Sequence, residues 1–209
     1  MRWLMLYAHS RQVPAFLATV LISALAVWAL TRDGSGAPGG SQLPAVVLTA
    51  GAMALSIGLG GQDLDLDRSA AIRWAPRRAA HVLLGGAIVG AVFLTVQTLG
   101  QDLATTAFVA RDCAGLAGLT ALGAAVAGGR YAWAFPFTWL AFAFLAPPSA
   151  TSVPVKVATW MMLPAGTPEA TWTALCLAVF GTALYASVGP EALALPAGRA
   201  SRRGCGAHR

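Results

Sequence analysis

Charge is the scarcest resource in this chain. Only 11% of its 209 residues are Asp, Glu, Lys or Arg, while 57% are hydrophobic, against roughly 25% charged residues in a soluble domain. So little charge cannot clothe a water-facing surface, and the sequence reads as an integral membrane protein. Acids are thinnest of all: the glutamates are Glu169 and Glu191, both outside the long apolar segments, and the histidines are His9, His81 and His208, at an end, a loop boundary and the tail. These shortages remove whole classes of chemistry. An intramembrane serine protease needs a Ser and a His base facing each other from two spans, a metal-dependent one needs clustered His and Glu, and haem held between spans needs paired axial His. Cys113, Cys176 and Cys205 show no CxxC spacing, so no zinc set or redox pair is visible. No GxxxxGK[ST] occurs, and the Gly-rich GSGAPGG at 34–40 lacks the Lys and the helix start of a phosphate loop. The chain reads as a non-enzyme with no cofactor of its own.

Long apolar segments are what the sequence does have. Six are expected to span: Pro14–Leu30, Leu43–Gly61, His81–Leu99, Arg111–Gly128, Tyr131–Leu145 (bent near Pro136) and Trp172–Val188. About 20 residues at ~1.5 Å each cross the ~30 Å of hydrocarbon. Residues 1–13 read as an interfacial segment, an amphipathic helix or a frayed end. Residues 14–190 form the transmembrane domain, and 191–209 a basic, disordered cytoplasmic tail. A signal peptide ending near Val27–Ala29 is set aside, because cleavage leaves an odd number of later spans. The Pro-rich stretch from 146 to 171 suits either a short re-entrant helix anchored by Trp160 or a plain outer loop. Gly85, Gly86 and Gly90, with Ala114 and Gly118 four residues apart, make smooth stripes where helices approach closely.

The charge that exists is concentrated. Asp63–His81 (DLDLDRSAAIRWAPRRAAH) holds three Asp, four Arg and a His, too polar to enter hydrocarbon. Asp67–Trp74 is expected to form a short helix on the inner membrane surface, begun by Asp67 and limited by Pro76. The DLDLD run lacks the second acidic cluster that a magnesium site requires. Six spans place eleven of the fourteen basic residues on one side and leave Arg32, Arg111 and Lys156 on the other, which puts both termini in the cytoplasm. The net charge of +6 and pI near 10 thereby point to lipid head groups rather than to nucleic acid. Within the spans, Arg111 and Asp112 are the candidate polar pair. As neighbours on a helix they point apart, which favours a structural role at the outer interface over a transport site.

Taken together, DLDRSAAIRWAPRRAAH at Asp65–His81, RDCAGLAGLTALGAAVAGGRYAW at Arg111–Trp133 and TWTALCLAVFGTALYASVGP at Thr171–Pro190 give a layout that resembles the type-2 permeases of ABC transporters, in particular small membrane subunits of high-GC bacteria. The N-terminal segment is shorter and less basic than in many of these permeases. The resemblance implies an exporter's membrane subunit in a bacterial cell membrane. It further implies a separate ABC ATPase that binds ATP and Mg, and a second permease copy or paralogue. Asp67, Arg68, Arg73, Trp74, Arg77 and Arg78 are then the coupling contacts to that ATPase, unless the arginines merely fix orientation. The other reading is a non-transporting assembly or immunity protein that packs against partner helices.

Overall fold

A computed structural model of the protein describes residues 13–31, 41–60, 74–100, 102–146 and 152–190. The described residues form seven α-helices and no strand. They are α1 (Val13–Thr31), α2 (Gln42–Leu59), α3 (Trp74–Thr98), α4 (Thr106–Ala127), α5 (Ala134–Leu145), α6 (Val153–Ala158) and α7 (Pro168–Val188), with 3-10 turns at Gly129–Tyr131 and Trp160–Met162. Among them, α2, α3, α4 and α7 are long and apolar enough to cross a bilayer. The chain is a multi-pass, all-α membrane protein.

Four such helices replace the six expected. The described apolar stretch of α1 is Pro14–Ser23, too short to count. The fifth expected span fails for a local reason. Gly128, at φ 88°, ends α4, a 3-10 turn consumes Gly129–Tyr131, and only 12 residues remain for α5. Those rise about 18 Å, short of the ~30 Å hydrocarbon thickness. Pro136 lies in the first turn of α5, where its missing N–H costs nothing, so it starts a short helix instead of bending a long one.

The surface helix expected at Asp67–Trp74 also needs correction. Asp67, Arg68 and Arg73 lie outside the described residues, as do the N-terminal segment to residue 12 and the tail from 191. Trp74 opens α3, one of the four long helices, and Pro76 is its third residue. Trp74, Arg77 and Arg78 therefore occupy the first turns of α3. The fourth long helix likewise starts earlier than expected, at Thr106, because the Thr105 hydroxyl accepts from the Phe108 N–H and so caps the first turn.

Side-chain ties define the two ends of the bundle. At one end the Tyr185 hydroxyl donates to the Leu59 carbonyl at 3.0 Å, Gly129 packs against the Gly60 backbone, and Arg78 lies against Gly189. At the other, Ser41 Oγ donates to the Met162 carbonyl, and Gln97 Nε2 donates to the Ala104 carbonyl at 3.0 Å. Between them α4 is the central helix, buried from Phe108 to Ala125 along most of its length. Its closest approach is to α7. A Cβ on Gly118 would overlap the Leu177 carbonyl, and one on Gly181 would overlap the Gly118 carbonyl, so only glycine lets these backbones touch. Gly85 instead accommodates Leu55 of α2, while Gly86 and Gly90 meet Ala117 and Cys113 of α4.

Candidate functional site

Arg111 and Asp112 come together despite being consecutive. Each lies more than a turn inside α4, and Arg111 bends back so that its Nε donates to Asp112 Oδ1 at 2.8 Å. Its Nη1 donates to the Pro164 carbonyl at 2.9 Å and its Nη2 to the Leu163 carbonyl at 2.8 Å. The guanidinium also stacks over the Phe108 ring, 4.9 Å from the centroid. The Asp112 side chain is fully buried and that of Arg111 is 6% exposed. A guanidinium offers five N–H donors in a planar fork, and three of them here fasten α4 to the segment before α7. Asp112 Oδ2 has no hydrogen-bond partner among the described residues.

That segment is a cap over the Arg111 end of the bundle. It consists of α6 and the Trp160–Met162 turn. Trp160 and Met161 are fully buried, and the Trp160 ring edge fills the place where a Cβ on Gly115 would sit, 2.5 Å from it. Trp139 Nε1 donates to the Ala158 carbonyl at 2.9 Å, and Lys156 pairs with Glu169 of α7 at 2.9 Å. Side chains from α2, α4, α5 and α7 thus all hold one short segment. Among the described residues no group of three or more His, Cys, Asp or Glu is placed to hold a metal ion.

Away from the cap, two apolar grooves open on the perimeter. One runs between α3 and α4, about 420 Å³, lined in part by Gly86, Ala87, Gly90, Ala91, Ala114 and Ala117. The other, about 600 Å³, lies between α4, α5 and α6. Neither is lined by Arg111 or Asp112, so the polar pair faces no wide path through the described bundle.

The five small residues singled out in the sequence thus serve three different surfaces. Gly118 meets α7, Gly85 meets α2, and Gly86 and Gly90 sit at the contact of α3 with α4. Ala114 is exposed on the first groove. Sequence reasoning passed over Gly51, Gly115 and Gly181, which accommodate Val89, Trp160 and the Gly118 backbone. Gly181 and Gly118 carry no shared signal in the sequence, being 63 residues apart. At the opposite end, Arg77 stacks over Trp74 at 5.7 Å and Arg130 over Tyr131 at 5.8 Å, as basic and aromatic side chains do at a membrane interface.

No protein-family model, no curated protein and no solved structure matches the chain. The likeness to type-2 ABC permeases is therefore corrected. It rested on a six-span layout with a separate surface helix, and the described residues have four long spans with Trp74 already inside the second of them. The exporter and coupling roles that followed from the likeness fall with it.

Proposed function

We propose that this protein is a non-transporting subunit of a membrane assembly, one that presents the groove between α3 and α4 to a spanning helix of a partner chain. One observation carries the reading. α4 has small residues on two faces, and only one of those faces is filled from within the chain. The Gly115–Gly118 face receives Trp160 and the backbone of α7. The Ala114 face, continued by Ala87 and Ala91 of α3, is exposed and leaves a groove of about 420 Å³. Helix association in a bilayer relies on close van der Waals packing, which small residues permit. Two long neighbouring helices with a floor of Gly86 and Gly90 form a trough into which a third helix can lie.

The buried polar pair supports the same reading. Arg111 and Asp112 satisfy each other and the cap backbone, which is how intramembrane charge is stabilised in a structural role. The test places a photoreactive amino acid at Ala87 and at Ala114 and irradiates cells expressing the full chain. The reading expects a crosslinked spanning peptide from a second protein at both positions, lost in Ala114→Leu. Lipid adducts alone at both positions overturn it.

A further inference from the structure

The larger groove differs from the helix-sized trough in ways that select another occupant. Its walls are Leu119 and Leu122 of α4 together with Phe135, Trp139 and Phe142 of α5, and Val157 of α6 stands at its cap end. Bulky aromatic walls keep a helix backbone at a distance, whereas Gly and Ala admit it. The groove also has a closed end, because Pro154, Val157 and Ala158 of α6 complete its lining, so no straight helix runs its length. Water is equally unsuited. Thr138 is the one lining residue with a hydroxyl, and the indole N–H of Trp139 is spent on the Ala158 carbonyl at 2.9 Å, so its ring offers carbon to the space. Apolar spaces of this kind stay dry.

What surrounds the groove follows from the four spans: it opens sideways into bilayer hydrocarbon. α5 has 12 residues and rises about 18 Å of the ~30 Å core, so beside it a length of the bilayer has no protein wall to match. We infer that this groove is a binding site for one acyl chain of a bilayer phospholipid, seated between α4 and α5 with its outer end under α6. A flexible chain follows the aromatic walls, stops at the closed end and fills space that otherwise loses its dispersion contacts. The site is independent of the α3–α4 trough and of the partner proposed for it.

The test reconstitutes the full chain in phosphatidylcholine vesicles containing a phosphatidylcholine with a diazirine midway along one acyl chain. After irradiation the adducts are mapped by peptide mass spectrometry. The expected result is labelling of the Phe135–Phe142 peptide several-fold above that of α1 around Leu21 and Ile22, and of α7 around Phe180, all exposed apolar residues. Thr138→Trp fills the groove from an exposed position and is expected to remove the excess, with circular dichroism unchanged. Ala114→Leu, which obstructs the other trough, is expected to leave it intact. Labelling no greater than at Leu21 and Phe180 overturns the site. So does fast reaction of Thr138→Cys with a membrane-impermeant maleimide, which marks an aqueous space. A photocrosslink from Phe142 to another protein overturns it in favour of a partner.

Discussion

The hydroxyl of Tyr185 donates to the carbonyl of Leu59 across 3.0 Å, joining the end of the last span to the end of α2. The last four carbonyls of a helix have no partner within it, and in hydrocarbon no water replaces one. Tyr185 is 1% exposed, so the bond is sealed. Tyr185→Phe keeps the ring and strands the carbonyl, and is expected to destabilise the bundle by about 1–3 kcal/mol. The check is the midpoint of unfolding when dodecyl sulfate is titrated into mild-detergent micelles; an unchanged midpoint contradicts the prediction.

Arg111→Ala leaves the buried Asp112 without its counter-charge, at an expected cost of about 3–5 kcal/mol. It also releases the Leu163 and Pro164 carbonyls, so limited proteolysis between 152 and 167 is expected to accelerate. Arg111→Lys keeps a cation but lacks the planar fork that serves three acceptors, so its proteolysis rate is expected between those of the parent and Arg111→Ala.

Two residues four apart on α4 are expected to respond oppositely to the same enlargement. Gly118→Leu drives a side chain into the Leu177 backbone and is expected to prevent α7 from docking, read as loss of a monodisperse peak in detergent gel filtration. Ala114→Leu points into the open trough and is expected to leave that peak unchanged while abolishing partner crosslinking. Equal behaviour of the two variants contradicts the assignment of faces.

Sidedness is testable at two exposed positions on opposite ends of the bundle. With the native cysteines replaced by serine, Ser152→Cys is expected to react with an impermeant maleimide in intact cells. Arg130→Cys is expected to react only after permeabilisation, since the basic residues gather at its end of the molecule. The reverse pattern inverts the membrane orientation.

Membrane character was legible from charge scarcity alone, because hydrocarbon sets a harsh and local rule on composition. The ends of the helices were less so. Pro76 and Pro136 read as a stop and a bend, yet each sits in a first turn, where proline costs nothing; the same residue type marks both situations, and only the following chain distinguishes them. A segment of 15 apolar residues from Tyr131 reads as a span until Gly128 and the 3-10 turn after it divert the chain. The Arg111–Asp112 contact was hidden for another reason. Helix spacing says that neighbours diverge, and that holds for Cβ directions, but a long guanidinium can fold back over its own helix. Its remaining partners, Leu163 and Pro164, are 52 and 53 residues away, and being backbone carbonyls they leave no residue-type signature.

The embrace of α4 by α7 has a consequence for how the protein is made. α7 is the last long helix to leave the ribosome, so the glycine seam of α4 and the socket for Trp160 stand open to lipid throughout most of synthesis. The newborn chain is consequently unfinished until its final span inserts, and a stalled or shortened product displays a sticky, half-built helix to the membrane's quality-control proteases.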